Sequence, residues 1–294
     1  MNDQATTLRE MASSGLAVGT LPTRSPTVKQ RRCVAVTGGK GGVGKSNLSL
    51  NLALELGLLG NSVALLDADF GLANIDLLCG AVPDFHLGHV LTGLKDLDEV
   101  TIGLSQNVKL IPGGSGIEEL ANFSIAATPH IFAKMRSMEE NLDFMLIDTA
   151  AGIAENVSGI LASSSEIIVV VTPEPTSIVD AYATIKVILR RSPDKPIAVV
   201  VNNIVGVGEA GQVFQSIGAA VRGFLDREIE FLGMIPHDSQ VRDAIREQVP
   251  VTQFAPGSSA SRAIRLIAKQ LNGQIRWDSG KFEAQSFWEM LTQN

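Results

Sequence analysis

The sequence has little of what makes staples, metal centres or membrane spans. Its two cysteines, Cys33 and Cys79, lie far apart and form no Cys-x-x-Cys pair. That spacing excludes a disulfide framework and a zinc knuckle. Four histidines do not complete a metal site either. His86 and His89 stand three positions apart with no thiolate or carboxylate cluster around them, and they read as ordinary loop or helix residues. Aromatics make up only 5% of the chain and tyrosine occurs once, at Tyr182. No apolar run approaches the ~20 residues that cross a bilayer. Met1 to Arg9 carry acidic and polar groups instead of a basic stretch followed by an apolar one, so they do not read as a signal peptide. A cytoplasmic, reducing setting is the expectation. Basic residues are also outnumbered, with 24 Lys and Arg against 31 Asp and Glu and a net charge of −7. This removes the simplest electrostatic reason for binding nucleic acid.

The 294 residues are 45% hydrophobic, enough for one large α/β domain with a substantial core, and 28 glycines suit a fold rich in tight β-to-α loops. Residues 1–12 read as a short helix with Ala5, Leu8 and Ala12 on one face. Residues 13–30 are interrupted by Pro22 and Pro26 and read as a flexible linker. Residues 31–273 form the main domain, and residues 274–294 a tail. In the domain, short apolar runs at 33–37, 62–67, 108–112, 144–148, 167–172, 197–202 and 230–235 are strand candidates. Helical patterns cover 46–59, 129–140, 156–164, 176–190, 210–226 and 258–271. Runs such as Ile167-Ile168-Val169-Val170-Val171 suit strands covered on both faces. The alternation predicts a mostly parallel, twisted sheet of about seven or eight strands with helices on both sides. Ligands in such sheets bind at the carboxyl ends of the strands.

The run Gly39-Lys40-Gly41-Gly42-Val43-Gly44-Lys45-Ser46 follows the first strand and opens a helix, the setting a phosphate-binding P-loop requires. Glycines let the backbone curl so that N–H groups point at phosphate, and the helix adds its positive N-terminus, at Asn47 and its neighbours. Lys45 is placed to reach the β- and γ-phosphates of ATP, and the Ser46 hydroxyl to bind Mg2+. On geometry alone, Lys40 is either a solvated loop cation or a group with a function of its own. Downstream, a strand ends in Asp67-Ala68-Asp69, with Asn74 close behind, and another ends in Asp148-Thr149-Ala150-Ala151-Gly152. Carboxylates beside a triphosphate would repel it unless they handle metal or water. Asp148 after an apolar strand fits a Walker B end that holds Mg2+ through water, and Gly152 would let a backbone N–H approach the γ-phosphate.

The loop resembles that of the MinD/ParA group of deviant Walker A ATPases. The resemblance implies ATP-dependent dimerisation, with Lys40 reaching the partner's nucleotide in trans, in the manner of an arginine finger. It assigns Asp69 to positioning the attacking water and Asp67 to supporting the metal shell. Asn202, at a strand end, falls where the group contacts adenine, with a plain turn-forming role as the rival reading. Pro236 falls in a base-flanking loop. Within the group, Asp3-Gln4-Ala5-Thr6-Thr7-Leu8-Arg9 is similar to the N-terminal element of the FlhG (FleN/YlxH) subgroup, which governs flagellar number and placement. Asp67 to Asn74, Asp148 to Ile153 and Pro173 to Tyr182 also fit that subgroup. The likeness implies that Gln4, Leu8 and Arg9 engage an FlhF-like GTPase of the signal-recognition-particle type. It also makes Asp180 a contact for regulatory partners, whether a flagellar basal-body (C-ring) protein or a flagellar transcription regulator. In the tail, Phe287, Trp288 and Leu291 share a helical face. Either this face touches the inner membrane surface weakly, since Asp278, Glu283 and Glu289 oppose only Lys281, or it docks on protein. A division-site regulator of the MinD type and a DNA-partition ATPase of the ParA type are the alternative functions.

Overall fold

The computed structural model describes residues 31–70, 72–114, 141–152 and 154–273. The expected helices at 1–12 and 129–140, the linker at 13–30 and the tail lie outside the described residues. Gln4, Leu8, Arg9, Phe287, Trp288 and Leu291 lie there with them.

Strands that are apolar on both faces must be covered on both. The chain meets that demand with a sheet of eight strands: β1 (Arg32–Thr37), β2 (Val63–Ala68), β3 (Ile102–Ser105), β4 (Val108–Ile111), β5 (Phe144–Thr149), β6 (Glu166–Val171), β7 (Ile197–Ile204) and β8 (Glu230–Pro236). Their order is β3-β4-β2-β5-β1-β6-β7-β8. Every neighbouring pair is parallel except β3 and β4, which are antiparallel. The chain leaves β1 in one direction towards β2 and later crosses it from β5 to β6. β1 therefore flanks the point where the winding reverses, and a crevice opens there at the strand carboxyl ends. All seven expected strands are present. β3 is the addition: four residues, alternately half-buried and exposed, carry no apolar run to announce them.

Alternate strand residues feed opposite layers. Val34, Val36, Leu65, Leu146 and Val170 pack under helix α1 (Lys45–Leu58) and helix α10 (Ser259–Gly273). Ala35, Val169 and Val199 pack against α5 (Glu155–Ser163), α6 (Pro175–Arg191) and α7 (Val207–Leu225) on the other face. These five helices match the helical patterns in the sequence. The short helices α2 (Ile75–Leu78), α3 (Leu87–Leu91), α4 (Leu97–Val100), α8 (Ser239–Arg246) and α9 (Val251–Phe254) were not expected; one or two turns carry too little period to stand out. Helix α1 is buried nearly all round, with Leu48, Leu50, Leu52, Leu54 and Leu56 in the core, because it lies between the sheet and α10. Its amino end is thereby held rigidly at the crevice.

At the opposite end of the sheet Arg32 joins three elements. Its guanidinium grips Glu166 of β6 with two parallel bonds, Nε to Oε1 at 2.7 Å and Nη2 to Oε2 at 2.5 Å. It also donates to the Leu271 carbonyl of α10 and lies 5.2 Å from the Phe144 ring centroid. Removing one member of a buried pair leaves the other charge uncompensated. Arg32→Met should therefore cost about 3 kcal/mol. Adding Glu166→Met should recover much of that loss, and denaturant unfolding of the single and double variants measures both.

Candidate phosphate and metal site

The loop between β1 and α1 is shaped by close approaches that leave no room for side chains. A Cβ on Gly39 would stand 2.2 Å from the Asp180 carbonyl carbon, so the loop lies flush against the first turns of α6. Gly44, the residue before α1, has φ 95°, and a Cβ there would stand 2.4 Å from Asn202 Nδ2. Helix α1 has no side-chain cap and no acid in its first turn. Its leading N–H groups and partial positive charge therefore face the crevice, ready for an anion. Lys45 is buried beneath the loop.

Two carboxylates end adjacent strands beside this loop. Asp67 of β2 and Asp148 of β5 are register partners. Ser49 Oγ donates to Asp148 Oδ1 at 3.0 Å, and the Ser46 hydroxyl is also hydrogen-bonded to the carboxylate. Ser46 and Ser49 are three apart on α1, hence on one face. Burial, with the Asp67 charge adding to it, pushes Asp148 up to about 7. Burial likewise raises Asp67 to about 6, against the pull of three backbone N–H groups.

The two carboxylates are not equivalent. Asp67 Oδ2 accepts from Asn74 N at 2.9 Å and Ile75 N at 3.1 Å, and Oδ1 accepts from Asp69 N at 3.2 Å. It folds the loop 68–75 around itself. Among the described residues, Asp148 Oδ2 is buried without a hydrogen-bond partner. An orphaned carboxylate oxygen beside a serine hydroxyl, with a second acid alongside, fits a hard divalent cation such as Mg2+. Asp148 and Ser46 are the residues placed to hold one, while Asp67 orders the loop next to it. Asp69 is half-buried on that loop and accepts from Leu72 N at 3.2 Å. Gly152 has φ 91° and donates its N–H to the Gly38 carbonyl at 3.1 Å, fastening the end of β5 to the P-loop.

Beyond the loop opens a cavity of about 370 Å3, lined by Lys40, Gly41–Gly44 and Asn47. Asn202, Ile235, Pro236, Val241 and Ile245 line it as well. One end carries phosphate-binding geometry and the other an apolar wall with a few polar groups, the layout of a nucleotide site. Lys40 stands at its mouth, where Nζ pairs with Glu174 and lies 3.3 Å from Thr176 Oγ1. Asn202 Nδ2 donates to the Val43 carbonyl at 2.8 Å, and its Oδ1 accepts from Asn203 N at 2.9 Å. Asp180 is half-buried on α6, its backbone against Gly39. All the P-loop, switch and base-pocket residues named from sequence thus gather at one edge of the sheet. Ser49, Glu174, Thr176 and Asn203 were missed. Ser49 was readable from its helical spacing to Ser46, but the contacts of Glu174 and Asn203 depend on the packing of distant loops.

Comparison with known proteins agrees with this geometry. The ParA family model, described as NUBPL iron-transfer P-loop NTPase, matches residues 29–272. The chain is 36% identical over 261 residues to the antiactivator FleN of Pseudomonas aeruginosa, covering 89% of this chain and 93% of that protein. It is 34% identical over 244 residues to the flagellum site-determining protein YlxH of Helicobacter pylori, covering 82% of each. Among solved structures it resembles the septum site-determining protein MinD of Pyrococcus horikoshii, complexed with Mg-ADP. The TM-score there is 0.68 and the identity 25%, over 83% of this chain and 97% of that one.

The raised carboxylates fix the sign of a pH effect. The native form keeps protons that the unfolded chain releases near pH 4, so without metal these groups withdraw stability as pH rises from about 4 to about 7. Asp148→Asn should flatten much of that decline relative to the unsubstituted chain. At pH 8 without metal it should raise the unfolding midpoint by about 4 °C or more. The same substitution should remove the added stabilisation by Mg2+ with nucleotide, and thermal unfolding with and without both reads all three effects.

Proposed function

The chain belongs to the ParA family of P-loop NTPases, and from that premise we propose that it is a MinD-like ATPase switch regulating flagellar number and placement. The relatives FleN and YlxH support the flagellar part of this reading. The family description mentions iron transfer, but here Cys33 is buried within β1 and Cys79 stands apart from it in sequence, so the chain offers no cysteine pair for that chemistry.

The observation that carries the switch is Lys40 at the open mouth of the cavity. ATP binds with its base against the wall at Pro236 and its phosphates in the cradle of Gly41 to Asn47, with Lys45 on the β- and γ-phosphates. Ser46 and Asp148 would hold Mg2+, which would neutralise phosphate charge. Asp69 orients the water that attacks the γ-phosphate, giving ADP and phosphate. Lys40 is held by Glu174 of its own chain, with side chains 30% and 59% exposed. An exposed pair of this kind is worth roughly 0–1 kcal/mol. The concentrated negative charge of a nucleotide on a second copy can therefore draw the lysine across. Two ATP-loaded copies close face to face, each lysine completes the other's site, and hydrolysis releases them.

The output is assigned to the segments around this core. Gln4, Leu8 and Arg9 reach an FlhF-like GTPase, residues 13–30 act as the tether, and α6 with Asp180 meets a flagellar basal-body protein or transcription regulator. Phe287, Trp288 and Leu291 give the dimer a weak, paired hold on the inner membrane surface.

Lys40→Ala should keep ATP binding, remain monomeric with ATP by light scattering, and lower the phosphate-release rate by about 100-fold or more. Dimerisation and hydrolysis both intact in that variant would rule out the trans-lysine mechanism. A peptide of residues 1–20 should accelerate GTP hydrolysis by an FlhF-type protein, and the same peptide with Gln4→Ala should not. Failure of the unsubstituted peptide would remove the partner assignment alone.

A further inference from the structure

We propose that Asn202 is a positioning residue for the phosphate cradle: it turns the peptide between Val43 and Gly44 so that the Gly44 N–H faces the phosphate. This rests on reading the loop as a nucleotide site and adds a role for a cavity residue that touches the loop. The peptide bonds of the described residues are trans, which sets C=O and N–H on opposite sides of each peptide plane. Asn202 Nδ2 captures the Val43 carbonyl at 2.8 Å. The Gly44 N–H must then point away from Asn202, free to serve as one of the backbone donors with which a P-loop meets phosphate. Among the described residues that N–H has no protein partner.

A second observation makes the hold mechanical as well as electrostatic. Gly44 sits at φ 95° with its Cα flush against the same amide, so close that a Cβ would come within 2.4 Å of Nδ2. Glycine is the residue most free to let a peptide flip, and here a flip would have to break the bond from the Asn202 amide. Asn202 is itself fixed, because its Oδ1 accepts from Asn203 N at 2.9 Å. Asn203 is in turn anchored through its Oδ1 to His237 Nδ1 at 2.7 Å. A chain of contacts thus runs from the loop after β8, through the end of β7, to a single donor of the cradle. A residue that only read the base would not need its amide N–H on the P-loop.

The test uses ligands with and without a base. Full-length protein, unsubstituted and Asn202→Ala, is titrated with MgATP and with magnesium tripolyphosphate by displacement of a fluorescent ATP analogue. Asn202→Leu, close in shape but without the donor, serves as the second variant and covers the case in which Ala does not fold. Affinity for both ligands should fall together, by about tenfold or more, as expected when a donor to a charged group is lost. A fall for MgATP with tripolyphosphate unchanged would make Asn202 a base contact and overturn the inference. So would no change for either ligand. If the unsubstituted chain bound neither ligand, the nucleotide reading itself would fail, an outcome distinct from both.

Discussion

Burial of the sheet on both faces is the constraint from which the site follows. Between α1 and α10 on one side and α5, α6 and α7 on the other, the middle strands have no solvent-facing positions left. Polar chemistry can then appear only where strands end, and at the carboxyl edge the ends of β1, β2, β5, β6, β7 and β8 converge. The left-handed turn at Gly44, the amino end of α1 and the acids at 67 and 148 all lie there because nowhere else can hold them. Burial of α1 nearly all round also fixes its amino end relative to β5, so Ser46 and Ser49 meet Asp148 at hydrogen-bonding distance without any local device.

Placing two acids side by side at that edge is costly, and the two are handled differently. Asp67 is stabilised by backbone donors from the loop it organises, so removal of its charge would loosen residues 68–75 as well as the electrostatics. Asp148 keeps an oxygen with no partner among the described residues. An unsatisfied buried oxygen costs about 1–3 kcal/mol and persists only where something else compensates for it. Here a cation is the compensation that fits. The same stored cost makes ligand binding a large stabiliser, because the ligand removes a penalty as well as adding contacts.

Much of this was legible in the sequence because it depends on local pattern. The apolar runs located seven strands, since two-sided burial leaves a continuous signature. The Gly39–Ser46 loop, Asp67, Asp69 and Asp148 were located by the strand–loop–helix setting. What stayed hidden depends on register and on contacts between distant loops. β3 is four residues long and pairs antiparallel to β4 with a register shift, too short a stretch for its alternation to stand out from a turn. The role of Asn202 follows from its distance to Val43, 159 positions away in sequence. That Asp67 orders a loop could not be read from an Asp-x-Asp motif, because an acid beside a triphosphate looks the same on paper whether its oxygens face metal or backbone.

Helix α6 brings the nucleotide and the outside of the molecule together. Its N-cap Glu174 and first-turn Thr176 hold Lys40, and Asp180, one turn on, lies against Gly39. The loop is therefore touched by α6 at two adjacent residues through two kinds of contact, a weak ion pair and a backbone approach that tolerates no slack. Next to Asp180, Val179 is 65% exposed on the outer side of the same helix turn. A body that binds the outer face and shifts α6 by a fraction of an ångström must move Gly39 with it, since close-packed backbones transmit displacement and do not absorb it. The converse also holds: any charge that drew Lys40 away from Glu174 would take from the start of α6 one of its two tethers to the loop. A contact on the outer face and a ligand at the loop would therefore act on one helix end, with no long pathway between them.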